Sequence, residues 1–600
     1  MLIYYFYAPM IKIKLHARIR QLRLNYLSGQ RFLYLLSGIV GLLVGIAAVI
    51  IKNLVHFIQG ALAKGIAGDY RTYLIFILPI IGITLAVVFI KYINRKPVRH
   101  GIPGVLFAIS RNNAIMRAHN LYSSVISSAL TVGFGGSVGL EGPTVATGGA
   151  IGSNFGRVFN LNYKEVALLV SCASAGAMSA IFKAPIAGVV FALEVIMLDL
   201  TMWAMIPLLI ASATAALTSY MFLGQNVLYY NFQVMEAFQM NQIHFYLLLG
   251  AITGFVSVYF TKVYNAISEF FEKIEGAWKR LLIAGGLLGA IILLLPPLYG
   301  EGYEIVNLSL VGDYSQLFTG TFYESWQGSF ILIVLAFLLI IGFKVIATTL
   351  TFAAGGIGGI FAPTLFMGAN LGLLVGLVLN QLGVDVSISN MALVGMAGMI
   401  AGVIHAPLTS IFLIAEISSG YELFMPLILV STISFATARV FVSNSVYTIQ
   451  LAKRGELMTH HKDRNILLLM NVSELIEKNF KTVKPEDTLR DLVKVITKSS
   501  RNIFPVVSKE NDFVGIVKLD DIRHIMFNHE VYDSTYVRDL MFMPEYTINI
   551  DEQMEAVAAK FAKSGRYNIA VVDDGKYVGF LSRAKVFSSY REMLKHFSDD

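Results

Sequence analysis

The sequence predicts an all-α, polytopic membrane domain that contains an internal repeat and broken helices and is followed by a smaller α/β pair of modules. Two observations predict this architecture. Hydrophobic residues make up 56% of the 600 residues and charged residues only 14%, whereas ordinary globular chains are about a quarter charged. Both parts of the chain also contain sequence repeats, which divide each part into two related copies.

The membrane domain is predicted from long apolar runs. Several approach the roughly 20 residues that a spanning helix requires, and shorter runs with glycine or proline suit half-spanning helices that line a cavity. The mean hydropathy of +0.65 agrees with a multi-pass integral membrane protein. The main runs are Phe32–Ile51, Tyr73–Ile90, Met205–Met221, Phe245–Tyr259, Leu281–Leu295, Phe330–Ile341 and Met425–Ala436.

Composition changes near Leu451, after which charged residues become frequent. We therefore expect a cytoplasmic amphipathic helix over residues 1–30, the transmembrane domain over 31–451 and a linker over 452–470. The two soluble modules are expected over 471–530 and 531–600. Basic residues flank the apolar runs, as is typical of the cytoplasmic ends of spanning helices. We expect a plasma (inner) membrane location with both termini cytoplasmic.

Charge and cysteine content exclude some classes of protein. The net charge of +8 lies largely beside apolar runs, so the expected partner is the lipid bilayer and not nucleic acid. A single cysteine, Cys172, excludes an intramolecular disulfide framework. The H-E-x-x-H pattern of zinc hydrolases is absent from the sequence. We expect neither an enzyme nor a metal site.

The membrane domain repeats itself in two halves. Ala184-Pro185 followed by Glu194 recurs with the same internal spacing as Ala406-Pro407 followed by Glu416. Repeated halves with helices interrupted at corresponding positions mark the binding sites of many transporters. We expect the halves to be inverted, and Glu194 and Glu416 to have equivalent structural roles. A second set, at a nearly equal offset along the chain, pairs Thr131, Pro143, Gly148 and Gly152 with Thr351, Pro363, Gly368 and Gly372.

The soluble part also repeats, with Gly515 and Gly579 at corresponding positions of its two copies. Each copy has the pattern of a short strand, a helix, two strands and a second helix. The first copy contains Thr482–Lys484, Phe504–Val507 and Gly515–Val517, and the second contains Thr547–Asn549, Ile569–Val572 and Gly579–Leu581. The pattern predicts two α/β units that pair with each other.

A glycine-rich stretch, Gly133–Pro143, interrupts the apolar sequence and contains one carboxylate, Glu141. Glycine permits close backbone approach and proline suits the first turn of a helix. A carboxylate at membrane depth is costly and indicates a functional site. The alternative is a structural glutamate that caps a helix end.

Three glycine and proline breaks are expected to converge, namely Arg99–Pro103, Gly139–Pro143 and Gly359–Pro363. The N-terminus of a helix carries unpaired N–H groups and a partial positive charge, and it binds anions without a formal cation. In a pore this gives a site from which the ion can still leave. The three breaks together predict a weak anion site.

These motifs resemble those of the CLC family of chloride channels and proton-coupled chloride transporters. GLEGP at Gly139–Pro143 is similar to the family's GREGP, and GIFAP at Gly359–Pro363 matches its GxFxP. HGIP at His100–Pro103 resembles its GSGIP, and Tyr447 fits its pore tyrosine. The soluble pair resembles cystathionine-β-synthase-type (CBS) modules. The resemblance covers nearly the whole chain after Phe32.

The resemblance implies that Glu141 is the gating glutamate, which competes with the anion and is released by protonation. Tyr447 has an alternative role as a membrane anchor, and His100 as a pocket residue that faces away from the ion. The anion, expected to be chloride, would be bound by His100, Gly101, Ile102, Gly142, Gly359, Ile360, Phe361 and Tyr447.

Three positions depart from the family pattern. His100 replaces the serine usual at the central site, and Leu140 replaces the arginine of GREGP. Val195 stands where the resembled transporters carry a second, proton-transferring glutamate. Because valine carries no proton, this position favours passive conduction.

The CBS pair has incomplete nucleotide-binding patterns. The pattern expected for adenine nucleotide is a glycine, a Ser/Thr three residues on and an aspartate three further. The first copy has Asp521 but Lys518 at the Ser/Thr position, and the second has Ser582 but Lys585 at the aspartate position. A dimerisation module is therefore at least as well supported as a nucleotide sensor, and no cofactor is certain.

We therefore expect a homodimeric CLC-type chloride channel gated by Glu141. A proton/chloride antiporter of the same fold is the alternative. A CBS-bearing cation transporter, such as a magnesium channel, is disfavoured because divalent sites need clustered carboxylates, and Glu141 is the one acidic motif residue.

Overall fold

The computed structural model describes residues 29–65, 71–98, 101–196, 202–224, 238–318, 321, 323–418, 420–449, 467 and 470–598. The chain divides into two compact units, Met1–Leu457 and Met458–Asp600. Residues 1–28 of the predicted N-terminal helix, most of the predicted linker, and Arg99 and His100 lie outside the described residues.

The described residues of the first unit form helices joined by turns and loops, with an isolated bridge between Gly139 and Gly359. Two helices continue as π-helical turns, Phe89–Asn94 after α2 and Ala192–Ile196 after α7. The helices are α1 Gly29–Gly65, α2 Arg71–Val88, α3 Gly101–Arg111, α4 Asn120–Gly133, α5 Glu141–Val158, α6 Tyr163–Phe182, α7 Pro185–Phe191, α8 Met202–Leu223, α9 Ile243–Glu272, α10 Ala277–Leu294, α11 Tyr303–Val311, α12 Phe330–Ala353, α13 Phe361–Gln381, α14 Ile388–Ile404, α15 Pro407–Ile417 and α16 Phe424–Phe441. Short 3₁₀ helices lie at Met240–Gln242, Pro296–Leu298, Ser315–Leu317 and Glu324–Gly328.

Nine of the described helices are long and apolar enough to cross a membrane, by length and composition: α1, α2, α6, α8, α9, α10, α12, α13 and α16. Each apolar run identified in the sequence falls on one of these helices, apart from a residue or two at the ends of two runs. The helices α3, α7, α14 and α15 are shorter, as the glycine and proline interruptions predict. The prediction of a multi-pass helical membrane domain is confirmed.

The two halves of this unit contact each other reciprocally. The N–H of Gly139 donates to the carbonyl of Gly359 at 2.9 Å, and the N–H of Gly359 donates to the carbonyl of Gly139 at 2.7 Å. The Ser137 N–H donates to Thr351 Oγ1 at 3.2 Å, and the Ile357 N–H donates to Thr131 Oγ1 at 3.1 Å. Partners are exchanged between equivalent positions of the two halves, which is what a local two-fold axis produces.

Each half also caps a helix of the other half. Proline begins α7 and α15, so the first N–H groups that need a partner belong to the next two residues. Glu416 accepts from the N–H groups of Ile186 and Ala187 at 3.0 and 2.8 Å. Glu194 accepts from the N–H groups of Leu408 and Thr409 at 3.1 and 2.8 Å and from Thr409 Oγ1 at 2.7 Å. The two glutamates thus fix α7 against α15.

The second unit contains two small sheets. Strand β1 pairs antiparallel with β2, while β3 pairs parallel with β4 and β4 pairs antiparallel with β5. Its elements are α17 Val472–Leu475, α18 Leu489–Thr497, β1 Ile503–Val507, β2 Phe513–Lys518, α19 Leu519–Ile522, a 3₁₀ turn His529–Val531, α20 Val537–Leu540, β3 Ile548–Asn549, α21 Met554–Ser564, β4 Asn568–Asp573, β5 Lys576–Ser582 and α22 Arg583–Ser598.

The two copies in this unit pair with each other, as the repeat predicts. Phe480 and Phe580 pack with ring centroids 4.6 Å apart in a buried cluster shared by both copies. The first strand predicted in copy one is only a single bridge between Val483 and Val506. The facing residue Pro505 has no N–H to donate, and this limits the ladder.

Candidate functional site

Three helix starts meet at one point inside the membrane unit. A methyl group added at Gly101, the first residue of α3, would lie 2.8 Å from the Cα of Gly142 in α5. One added at Gly142 would lie 3.1 Å from the Cα of Gly359, which precedes α13. The three backbones are therefore in contact, and only glycine permits this approach. The breaks lie together as the sequence predicts.

The converging helix starts create a positive electrostatic environment from backbone groups, without a charged side chain. The first N–H groups of a helix have no partner within the helix, and the helix dipole adds a partial positive charge at that end. The starts of α5 and α13 are held together by the reciprocal hydrogen bonds of Gly139 and Gly359. Ile360 and Phe361 follow directly, and both are buried. The arrangement can hold a small anion.

Glu141 is the first residue of α5 and is fully buried, with 0% of its surface exposed. Its Oε1 accepts a hydrogen bond of 2.6 Å from the Tyr303 hydroxyl. Its Oε2 has no hydrogen-bond partner among the described residues and lies 3.5 Å from where a Cβ of Gly359 would stand. One carboxylate oxygen is thus fixed, and the other lies over the start of α13.

A second carboxylate, Glu301, lies beside this point. Its Oε1 accepts a hydrogen bond of 3.2 Å from the Leu140 N–H, directly before Glu141. Glu301 belongs to the segment between the 3₁₀ turn Pro296–Leu298 and α11, and Tyr303 is the first residue of α11. Neither residue was predicted from the sequence. A signal for Glu301 was available, because Gly300-Glu301-Gly302 places a carboxylate between two glycines in an apolar region.

Two lysines that the sequence analysis also missed balance these carboxylates. Lys344 is fully buried and donates to Ser137 Oγ at 2.9 Å and to the Gly300 carbonyl at 3.2 Å. Lys52 donates to the Ile181 carbonyl at 2.8 Å and interacts electrostatically with Glu141 and Glu301. Leu140 leaves the motif without its own positive charge, and Lys52 supplies one from α1.

Tyr447 is 4% exposed, and its hydroxyl has no hydrogen-bond partner among the described residues. It lies close enough to Glu141 to interact with it electrostatically. A buried hydroxyl without a partner is costly, so this group is available for a ligand. The membrane-anchor alternative requires an interfacial position, and burial does not favour it.

Val195 lies in the π-helical turn after α7 and packs partly buried against the core. Its neighbour Glu194 is used fully by the start of α15. Val195 has no carboxylate, and both carboxylate oxygens of Glu194 accept hydrogen bonds from the start of α15. This pair therefore provides no free carboxylate.

In the soluble unit, the two candidate nucleotide residues have different environments. Asp521 is exposed. The Ser582 hydroxyl donates to Glu477 Oε1 at 2.5 Å, while Arg501 donates to Glu477 Oε2 at 2.7 Å. Glu477 therefore already engages the hydroxyl at the Ser/Thr position of the nucleotide-binding pattern.

Residues 81–439 match the model of the voltage gated chloride channel family, and residues 472–528 and 537–592 each match the CBS domain. The two matched segments of the soluble unit coincide with its two structural copies.

Curated relatives cover most of the membrane unit. The chain is 29% identical over 437 residues to a putative chloride channel protein, ClcB-like, of Ralstonia nicotianae, covering 70% of this chain and 97% of the relative. It is 28% identical over 437 residues to the H(+)/Cl(-) exchange transporter ClcA of Yersinia pestis, covering 70% of this chain and 87% of the relative.

Solved structures share the fold. A slow cyanobacterial Cl-/H+ antiporter aligns with a TM-score of 0.58 at 21% identity, covering 71% of this chain and 98% of its own. A eukaryotic CLC transporter aligns with a TM-score of 0.58 at 18% identity and covers 92% of this chain and 97% of its own. The second alignment extends into the soluble unit.

Proposed function

Because this chain belongs to the voltage gated chloride channel family, we propose that it exchanges chloride for protons across a membrane and that Glu141 is its gate. The observation that carries the proposal is the position of Glu141. Its carboxylate is buried at three converging helix starts, with one oxygen unpartnered over the start of α13 among the described residues. It thus lies where an anion would bind.

The geometry supports a competition mechanism. The ionised carboxylate and a chloride ion both seek the same N–H groups, so one excludes the other. Protonation removes the charge of Glu141, weakens its hold on the helix starts and allows the anion to bind. Tyr303 holds Oε1 in place, while Oε2 has no hydrogen-bond partner among the described residues. Proton binding and anion binding at one position provide the coupling that an exchanger needs.

We propose that chloride contacts the backbone of Gly101, Ile102, Gly142, Gly359, Ile360 and Phe361, together with the Tyr447 hydroxyl. His100 belongs to the proposed set from the sequence alone. Hydrogen bonds from neutral donors bind an anion weakly enough for release. Half-buried Lys52 and buried Lys344 offset the negative charges of Glu141 and Glu301 near this region.

Relatives described as exchange transporters favour exchange over the passive conduction that Val195 alone favours. Because Val195 carries no proton, exchange in this chain requires an internal proton path to Glu141 other than a glutamate at position 195. A passive channel is the alternative, and a flux experiment in proteoliposomes distinguishes exchange from passive conduction.

The test is chloride efflux from proteoliposomes with simultaneous recording of external pH, for the wild type and for Glu141→Gln. We expect a chloride gradient to drive protons uphill in the wild type. Glutamine cannot be ionised, so we expect Glu141→Gln to move chloride without protons. If wild-type chloride efflux moves no protons uphill, the protein is a passive channel. If Glu141→Gln still moves protons, Glu141 is not the coupling residue.

We further propose a homodimer in the plasma membrane with cytoplasmic termini and one pathway per subunit. We propose an assembly role for the CBS pair, since Glu477 engages the Ser582 hydroxyl. Light scattering of the purified protein tests the dimer, and calorimetric titration with ATP tests the CBS pair.

A further inference from the structure

A separate cavity of about 530 Å³ lies at one end of the membrane unit. Its walls are the π-helical turn after α2, the first turn of α10 and the segment that follows α12. These elements end at the same side of the helix bundle. The cavity has the size range of small-molecule sites and is far larger than a single halide ion requires.

The cavity is lined by four basic side chains, Lys91, Arg95, Lys96 and Arg280. None of the described residues that line it is acidic. The Nε of Arg280 is buried and has no hydrogen-bond partner among the described residues. An unpartnered guanidinium N–H is costly, and arginine is well suited to bind phosphate through paired hydrogen bonds. The lining therefore points to a phosphate-bearing ligand.

Two walls of the cavity face outward from the bundle. Only 33% of the most apolar window of α2, and 33% of that of α10, is buried within the protein. At the cavity end, Tyr92 and Trp278 are exposed, and Lys91 Nζ lies 5.5 and 5.8 Å from their ring centroids. Exposed aromatic rings beside lysine and arginine are typical of the membrane–water interface. The cavity thus opens where lipid headgroups lie.

We propose that this cavity binds the phosphate of an anionic lipid headgroup, with Arg280 as the central contact. Basic pockets between membrane helices bind such headgroups. Free phosphate has the same recognition chemistry, but it does not account for the lipid-facing walls and the interfacial aromatic residues. The acyl chains would lie against the exposed apolar faces of α2 and α10, which include Ile81, Leu85 and Leu282. This proposal is independent of the proposed transport mechanism.

The test is a thermal-shift titration of the purified full-length protein in a neutral detergent. The probes are short-chain phosphatidylglycerol, phosphatidylcholine of the same chain length, and sodium phosphate. A ligand that binds the folded state raises the unfolding midpoint by an amount that grows with the logarithm of its concentration relative to its Kd. The variants are Arg280→Gln and Lys96→Gln, and the matched control is Lys279→Gln, an exposed residue of α10 that does not line the cavity. Each variant must elute from size-exclusion chromatography at the same volume as the wild type.

We expect phosphatidylglycerol to raise the midpoint of the wild type and phosphatidylcholine to do so much less. Losing one hydrogen bond to a charged phosphate should weaken the apparent affinity about ten-fold in Arg280→Gln. Lys96→Gln should also weaken it, and Lys279→Gln should not. Equal affinity in all four proteins would overturn the proposal. A shift of the same size with sodium phosphate alone would overturn the lipid assignment.

Discussion

The two helix breaks at the centre of the membrane unit share a backbone and differ in their side chains. Gly139 and Gly359 hydrogen-bond to each other reciprocally, and α5 and α13 begin shortly after them, at Glu141 and Phe361. One helix start therefore carries an ionisable group and the other an apolar ring. Under the proposed function, the shared backbone provides the binding position, and the side-chain difference places the gate in one half only.

The surrounding charges follow the same asymmetry. Lys344 of the second half is buried and reaches Ser137 of the first half. In the register that pairs Thr131 with Thr351, its equivalent in the first half is Ser124, whose carbonyl simply accepts a bond from Ser128 within α4. Buried charge is costly unless it is compensated, and here it is concentrated beside Glu141. The comparison predicts four measurable differences, from the largest effect to the smallest.

The shared backbone is tested by Gly359→Ala. The added methyl group would lie 2.8 Å from the Gly142 nitrogen, so the helix starts must move apart. We expect a loss of about 1–3 kcal/mol of stability and a decrease of about ten-fold or more in chloride flux. The control is Gly286→Ala, since nothing lies within 4 Å of its added methyl. Equal fluxes in the two variants would show that backbone contact does not form the site.

The side-chain asymmetry is tested by Tyr303→Phe, which removes the donor to Glu141 Oε1. The hydrogen bond stabilises the ionised carboxylate, so its loss favours protonation. A bond to a charged group contributes about 1.5–3 kcal/mol, and we expect the midpoint of the pH dependence of flux to move up by about one unit. The control is Tyr421→Phe, at an exposed tyrosine. An unchanged midpoint of the pH dependence of flux would show that Tyr303 has no part in gating.

The reciprocal caps test whether the halves contribute equally to stability. Glu194→Ala and Glu416→Ala each free two N–H groups at a helix start. We expect each to lower the free energy of unfolding by about 1–2 kcal/mol. Glu194→Ala should cost more, because it also frees the Thr409 hydroxyl. Detergent unfolding curves measure both variants, and a larger effect of Glu416→Ala would contradict this order.

The smallest effect is expected on the surface of the soluble unit. Two hydrogen bonds of 2.7 Å from Arg490 hold the pKa of the Asp533 carboxyl below its usual range. A depressed pKa in the folded state means that the stabilisation is present above about pH 4 and is lost as the pH falls further. Arg490→Gln should therefore lower the calorimetric midpoint slightly at pH 7. The difference should vanish in strong acid, and exposure keeps it small.

Local sequence signals predicted most of the fold. Apolar runs predicted the spanning helices because a bilayer requires length and hydrophobicity. The near-constant offset between the repeated motifs predicted the paired halves, which the reciprocal bonds of Thr131 and Thr351 confirm. Glycine and proline predicted where helices break, since their backbone limits are properties of the single residue.

Side-chain neighbours were decided only by the tertiary structure. Tyr303 lies 162 residues from Glu141 in the chain, and Glu301 lies 161 residues from Leu140. A pattern of neighbouring residues in the sequence does not show which residues so far apart in the chain come into contact. Lys52 and Lys344 belong to helices whose sequences show little more than an apolar run around each lysine.

The sequence by itself determined that this protein is a repeated membrane bundle with an acid at a broken helix, because those features depend on the residue type at each position. The tertiary structure alone decided how closely the three breaks approach, that a second carboxylate and two lysines lie near Glu141, and that four basic residues share one cavity. The physical reason is that packing sets which distant side chains meet, and their electrostatic interactions depend on distances that packing fixes.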